Sequence, residues 1–517
     1  MSTSSSEEQI ASLQKELAKI ENNLHIRGNP IRLQRATLQQ ELNVLRSPIY
    51  RLSTELMVAI FHYTLPPPLS FEFDLPRTAH DLFFPPEIGD LFFPIILSAV
   101  SARWRDVASS TPSLWTHFQF PAYLWSHENP PHSTIDIYLT NSKDLPLQLD
   151  LAFPLRVQPT KENHFFHRKF DRLLSLNLSR IKRITLKNPP SRWLYQVERL
   201  SSAIDISVQW DRAMSTEMHM ENPRFERCRS LSRLAIRNSI MESSSQDPRV
   251  LYQVPCSLTI LDLSAIQVDH CIKVALRCPW LIELYIRYSI HADEDPDAES
   301  VKLWFGNRVT FRRLEVLYFG PIIGPWESAF LAKLHTPVLR EFTISNQLNG
   351  LTIRDPEDGF GQFVDRLPPT FSRLEVEDCE FIEVDCCGCL FDHRSSIQEV
   401  KFVDCEIDSI IRLLEDLQLS EEQVNMPNLR AISVCGGIQE ILQPMRAHQR
   451  MSEVEPMILN HFVTTLESRL VEGSNFRLEF SRIAVDWTPV LQARLRALVQ
   501  RGARIQVVED GDIVDWL

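Results

Sequence analysis

Apolar residues recur every seven positions at the start of the chain, at Ile10, Leu17, Leu24, Ile31, Leu38 and Leu45, with Leu13 and Ile20 between the first of them. This spacing is the a/d seam of a coiled coil over two heptads. Gly28 and Pro30 in "RGNP" interrupt it, because both residue types disfavour helix interior. The pattern predicts a helix, a sharp turn and a second helix folding back, with Leu38, Leu42 and Leu45 on the seam. Intermolecular pairing is the alternative, and two clean heptads support it poorly, since so short a coil is marginal. In "SPIYRLSTELMVAIFHYTLPPP" the period becomes that of a short amphipathic helix. Ser53 can cap it, Glu55 lies in its first turn where the helix dipole favours an anion, and Leu52, Leu56, Ile60 and Tyr63 form one stripe. Pro66, Pro67 and Pro68 end it. After an aromatic, proline-rich insert, Pro94 opens a second helix in which Ile96, Val100, Trp104 and Val107 share a face. "SSTP" stops that helix, and Thr111-Pro112 starts a third short turn carrying Leu114 and Trp115.

Downstream the pattern changes again. "STIDIYLTNSKDLPLQLDLAF", 133 to 153, alternates apolar and polar residues in two runs that each read as a strand. Beyond it a motif of apolar, two residues, apolar, one residue, apolar recurs. Its copies are Ile181-Ile184-Leu186, Leu231-Leu234-Ile236, Leu258-Leu261-Leu263, Leu281-Leu284-Ile286 and Leu314-Leu317-Phe319, then Leu339-Phe342-Ile344, Phe371-Leu374-Val376, Ile397-Val400-Phe402 and Leu429-Ile432-Val434. From 231 to 429 the copies lie 23 to 33 residues apart, averaging near 28, within the period of leucine-rich repeats. In such an array each unit supplies one short strand to a parallel sheet, and stacked neighbours bury the core that one unit cannot. Side chains between the apolar anchors would face a partner: Arg233, Glu283, Tyr285, Arg287, Glu315, Arg340, Glu375, Glu377 and Lys401. "LQARLRALVQRGARIQVVEDGDIVDWL" reads as an amphipathic helix, a stop at Gly502 and a strand from Ile505 to Val508, a terminal cap for the array. The predicted fold class is α/β, a repeat solenoid preceded by all-helical elements. The boundaries read 1–46 for the hairpin, 47–120 for the helical box with an insertion at 65–93, 121–175 for connecting strands and helix, and 176–517 for the solenoid.

The chain has 517 residues, 44% of them hydrophobic, enough for two or three folding units. Its formal charge of −13 argues against general phosphate binding, which depends on Lys and Arg. The basic stretch from His167 to Lys187 interleaves Leu and Ile and reads as a solvated face. Nucleic acid is therefore not an expected partner. Neither a charged leader with an apolar run nor about 18 uninterrupted apolar residues occurs, so no membrane partner and an intracellular chain, cytoplasmic or nuclear, are expected. The ten cysteines then read as thiols.

The helical box resembles the F-box, specifically that of F-box proteins abundant in mushroom-forming fungi. "SPIYRLSTELMVAIF" is similar to that group's Pro-Ile-x-x-Leu-Pro-x-Glu-Leu-x-x-x-Ile-Phe opening. "ILSAVSARWRDVASSTPSLWTHFQF" is similar to its Val-x-x-x-Trp-Arg-x-x-Ala-x-x-Thr-Pro-x-Leu-Trp closing half, the more specific of the two. The heptad hairpin and the Pro-Leu-x-Leu-x-Leu segment also resemble that group. Ser53 stands where the group has proline, and 65–93 separates the two halves. The resemblance implies a box that binds a Skp-type adaptor and through it a cullin, with Leu52, Leu56, Ile60, Phe61, Val100, Trp104 and Trp115 as the adaptor-binding set. Some of these must pack the box internally, and sequence does not divide them. The implied role is a non-catalytic substrate receptor of a ubiquitin ligase, the repeats holding an unknown protein substrate. A repeat scaffold without a ligase role is the alternative.

Cys386, Cys387, Cys389 and His393 crowd together near Cys379 and Cys405, a donor set that suits zinc, but without paired Cys-x2-Cys knuckles. Cys379 and Cys405 fall where leucine-rich repeats favour Asn or Cys, so no metal or cofactor is expected. The acidic run "HADEDPDAES" lacks the Gly and Glu of a calcium loop. No Walker loop, nucleophile elbow, His-Glu-x-x-His or dinucleotide fingerprint is present, which argues against an enzyme.

Overall fold

The structure is a computed structural model; it describes chiefly residues 3–23, 52–65, 92–120, 132–153, 177–189, 191–210, 224–238, 253–287, 308–320, 325–345, 359–377, 396–405, 426–436, 456–470, 473–482 and 484–517, with short runs among 34–49, 303–306, 410–418 and 453–454. Two compact units divide the chain. One comprises 1–70, 86–116 and 137–143, the other 71–85, 117–136 and 144–517. The Cys386–His393 cluster, Cys379, the acidic run at 291–300 and almost all of the 65–93 insertion lie outside the described residues.

The first unit is helical. Helix α1 (Thr3–Asn23) partly covers Ile10, Leu13 and Leu17 and buries Ile20, the side chains on the heptad seam. Leu38 and Leu42 are also buried, while Leu24, Ile31 and Leu45 lie outside the described residues. Helix α2 (Thr54–Tyr63) begins at Ser53, whose Oγ accepts from the Leu56 amide at 3.3 Å, satisfying one of the amides a helix start leaves open. The capping bonds at this end hold the Glu55 carboxyl below its ordinary range, chiefly through the Glu55 backbone amide and then Ser53.

Beyond the insertion the single predicted helix is two, α3 (Phe93–Val100) and α4 (Ala102–Ser110). The chain breaks at Ser101, which is extended at φ −160°, ψ 167° and caps the Trp104 amide at 3.2 Å. Serine competes with the helix for backbone partners, and here it starts a new one. Ile96 and Val100 therefore do not share a face with Trp104 and Val107. A 3₁₀ turn, Pro112–Trp115, closes the unit.

Among the described residues the second unit is built on one sheet of 15 strands whose order in space is their order in sequence. They are β1 (His117–Phe120), β2 (Leu147–Ala152), β3 (Ile181–Lys187), β4 (Asp205–Trp210), β5 (Arg233–Asn238), β6 (Ile260–Ser264), β7 (Glu283–Arg287) and β8 (Val316–Phe319), then β9 (Glu341–Ser345), β10 (Arg373–Glu377), β11 (Glu399–Val403), β12 (Ala431–Cys435), β13 (Asn475–Ser481), β14 (Arg504–Glu509) and β15 (Asp512–Ile513). Every neighbouring pair is parallel except β14–β15. The chain is thus α/β with a large parallel sheet, compatible with a solenoid. The motif anchors are buried, with Ile344 alone only half-buried, and they pair in register, as in Leu234 with Leu261, Leu261 with Leu284 and Leu284 with Leu317. Returning helices pack on the same face: Phe330 of the 325–333 helix stacks on Phe319 at 5.7 Å, and Phe363 meets Phe342 edge-on at 5.2 Å.

Two expectations change here. The sheet starts at His117, inside the segment read as the box, and takes in β2, inside the segment read as connecting. Moreover 132–141 is a helix rather than a strand, because Ile135, Tyr138 and Ser142 are buried at a spacing of three to four. At the other end, the helix Pro489–Gln500 is capped by Thr488, and Gly502 adopts φ +96°. β14 runs Arg504–Glu509, close to the predicted strand, and β15 turns back antiparallel upon it.

Candidate interaction surfaces

Helix α2 has two apolar faces. Met57 and Phe61, each 1% exposed, form the inner one, whereas Leu56 at 55%, Ile60 and Tyr63 at 92% point to solvent. Helix α3 repeats the arrangement, with Pro94 and Leu97 buried and Ile96 and Val100 exposed. Positions four apart lie on one side of a helix, so each outer pair is a face and not a stray residue.

The interior of this unit is aromatic. The half-buried Trp104 lies 4.9 Å from Phe61, ring centre to ring centre. Trp115 is buried, donates from Nε1 to the Ala108 carbonyl at 2.8 Å and meets Tyr138 edge-on at 5.2 Å. Burial pushes the Tyr138 hydroxyl well above the usual range, because its phenolate would be desolvated. The arginines beside Trp104 act as staples: Arg103 donates to the carbonyl of the half-buried Leu52, and Arg105 Nε to that of Ser98 at 3.0 Å. His62 Nε2 and Ser113 Oγ, 2.9 Å apart, tie α2 to the closing turn. Of the seven residues singled out from the sequence, Leu56, Ile60 and Val100 are exposed, Phe61 and Trp115 are interior, and Leu52 and Trp104 lie between.

In the second unit the sheet face opposite the anchors carries polar side chains in two rows set by register. One runs Asp262, Tyr285, Tyr318, Thr343, Glu375, Lys401 across β6 to β11. The other holds Arg237, Ser264 and Arg287 on β5 to β7, and Ser345 and Glu377 on β9 and β10. Arg237 donates to Asp262 at 2.7 Å, both buried. Arg287 lies over the rings of Tyr285 and Tyr318, 4.8 and 4.7 Å from their centres. Tyr285 donates to Glu283 at 3.0 Å and Tyr318 to Glu377. Arg373 stands among Glu341, Glu375 and Glu399 at 3.7, 3.7 and 3.5 Å. Burial raises the Glu341 carboxyl above its ordinary range, Arg373 opposing and Glu375 and Glu399 adding to the shift.

The sequence candidates Tyr285, Arg287, Glu375, Glu377 and Lys401 therefore share this face, and Arg233 and Glu283 occupy the row before it. Glu315 and Arg340 precede their strands and pair at 3.6 Å, the first half-buried and the second exposed. Arg237, Asp262 and Tyr318 were not singled out, although Asp262 and Tyr318 stand between the second and third anchors and Arg237 directly follows the third. Among the described residues no group of His, Cys, Asp and Glu could hold a metal. Cys278 and Cys405 serve the repeats, their thiols donating to the carbonyls of Val274 at 3.6 Å and Val376 at 3.2 Å. No described helix is long and apolar enough to cross a membrane. Comparison with protein-family models finds no match for the chain, and comparison with curated proteins finds none either.

Proposed function

We propose that this chain is the substrate-receptor subunit of a Skp-cullin-F-box ubiquitin ligase, its first unit containing the F-box and its second a leucine-rich-repeat solenoid that holds a protein substrate. The observation that carries the reading is the outward apolar face of α2 and α3. Leu56, Ile60, Tyr63, Ile96 and Val100 are open to solvent while the other sides of both helices are already buried. A small folded unit that keeps so many large apolar side chains open presents a surface for a partner. The Trp-Arg, Ala, Thr-Pro-x-Leu-Trp order supports naming that partner as a Skp-type adaptor. Leu56, Ile60 and Val100 meet it, Phe61 and Trp115 hold the box together, and Leu52 and Trp104 border the contact. The sheet's sequential strands and the mean 28-residue repeat support the solenoid reading. The chain performs no chemistry; it brings substrate and ligase into proximity.

The test is capture of purified Skp-type adaptor by the full-length chain, with Leu56→Asp as control. Retention by the native chain and loss on substitution are expected, and a folded native chain that ignores the adaptor at micromolar concentration sinks the ligase role. A second reading, a repeat scaffold without ligase function, is favoured by the insertion that parts the two halves of the box, and that negative result would support it.

A further inference from the structure

Arg287 ends β7 on the polar face of the sheet. Tyr285 and Tyr318 fix its guanidinium by lying under it at 4.8 and 4.7 Å. Its Nε is buried without a hydrogen-bond partner, and the Asp262 Oδ1 it approaches is 3.9 Å away, too far for one. The other oxygen of that carboxylate, Asp262 Oδ2, takes the Arg237 donor at 2.7 Å, while Oδ1 itself has no hydrogen-bond partner. Beside Arg287 in register stands Ser264, fully buried, with a hydroxyl that has no hydrogen-bond partner either. Arg287 is 26% exposed, so part of it remains open to an incoming group. Both tyrosine hydroxyls are turned away, toward Glu283 and Glu377.

A guanidinium presents its donors in one plane, and the rings beneath it hold that plane while its edge stays available to a ligand. That edge suits an oxyanion held by two parallel hydrogen bonds. Charge decides which oxyanion. Asp262, Glu283 and Glu377 already set three negative charges against the two of Arg237 and Arg287, so a second charge on the ligand is opposed more strongly than the first. A carboxylate, with one charge, is therefore favoured over a phosphate dianion. The tyrosine rings alongside offer apolar surface to the carbon chain that carries the carboxylate.

We propose that Arg287, set on Tyr285 and Tyr318 and backed by Ser264 and the Arg237–Asp262 pair, is a receptor point for an acidic side chain, Asp or Glu, of an extended segment in the partner protein. This deepens the substrate-receptor reading and rests on it for the identity of the partner as a substrate. The site itself does not involve the adaptor, so the two can fail separately.

The experiment selects random linear peptides on the full-length chain without adaptor and measures the recovered sequences as synthetic peptides, capped at both ends, by fluorescence anisotropy. The recovered peptides are expected to share an Asp or Glu whose replacement by Asn or Gln weakens binding about tenfold or more, the loss of a bidentate charged contact. Arg287→Ala and Arg287→Lys should give the same loss, the second because an ammonium lacks the planar fork. If Arg287→Ala lowers the melting temperature, Arg287→Lys and the peptide substitutions still read the contact. Failure to recover any binder, indifference to the Asn or Gln replacement, or equal binding by the native chain and Arg287→Lys overturns the proposal. Tighter binding of a phosphoserine peptide than of its Glu counterpart overturns the carboxylate assignment. Binding that appears only when the C-terminal cap is removed points to the terminal carboxylate in place of a side chain and does the same.

Discussion

Leu56 and Phe61 lie five residues apart on one helix and should fail in opposite ways. Leu56 is 55% exposed, so folding has already covered about half of it, and an adaptor that buries the rest gains about 1–1.5 kcal/mol, half of what a whole leucine side chain contributes. Leu56→Ala should therefore weaken adaptor binding by about 5- to 12-fold, and Leu56→Asp by about 100-fold or more, because a carboxylate is then desolvated without a partner. Neither change should move the melting temperature much, as exposed substitutions stay within about 0.5 kcal/mol. Phe61 is 1% exposed against Trp104, and truncation to alanine should cost about 3–5 kcal/mol of stability, a large share of the about 5–15 kcal/mol a domain possesses. Ten tryptophans blur a fluorescence melt, so amide hydrogen exchange in α2 and α4 is the better stability readout, with calorimetry for the adaptor. Unchanged affinity of Leu56→Ala, or α2 and α4 as protected as before in Phe61→Ala, refutes the division of α2 into an outer and an inner face.

Three further outcomes are expected. Gly320→Ala should destabilise the second unit by about 1–3 kcal/mol in urea unfolding, because a Cβ there would meet Ser345 Cβ at 2.6 Å and its backbone carbonyl oxygen at 2.7 Å. Asp262→Ala should cost about 3–5 kcal/mol by leaving Arg237 charged and buried, a loss that a milder Asp262→Asn reduces; equal stability of all three chains would show that the pair is solvated. Burial raises the Cys228 thiol to about 11 and the Cys278 thiol to about 12. The unfolded chain then loses these protons at lower pH than the folded one, so their contribution is complete below about pH 9 and should fall as pH rises through the folded values; urea midpoints at pH 8 and pH 10.5 check the sign, and exposed Cys256 should react with a thiol reagent before either.

From β3 onward the sheet was legible wherever all three anchors were large and apolar; β1 carries Trp115, Phe118 and Phe120 at the same spacing, but next to the helical box they read as part of it. Three strands that escaped the motif have a weak first anchor. β4 carries Ala203 three residues before Ile206, β2 has Pro146 before Leu149, and β13 has Asn475 before Leu478, yet each pairs in register with its neighbours as the full copies do. The first anchor sits outside or at the edge of the strand, where the neighbouring repeat can fill the space, so its size is the least constrained. The helical unit was legible in composition but not in geometry. An apolar stripe gives no indication that Ser101 restarts the helix, although Ser-x-x before Trp104 is a capping position in plain sight. Periodicity likewise could not separate Leu56 from Phe61, because α2 is apolar on both sides and only packing tells the inner side from the outer.

Repeat lengths between 23 and 33 residues look too uneven for one continuous sheet, and the registers show where the unevenness goes. From β3 to β13 the second anchor of each strand pairs with the second anchor of the next, without slip; the one register shift falls at Leu147/Gln148 on β2. Variation is confined to the returning segments, which close loops at a cost that grows only slowly with length. A slip of one residue within a strand would instead turn every anchor toward solvent. Side chains at matching positions therefore stand about 4.8 Å apart from strand to strand whatever the loops do. That constancy is what lets Arg237, Ser264 and Arg287, 27 and 23 residues apart in sequence, stand side by side on the polar face.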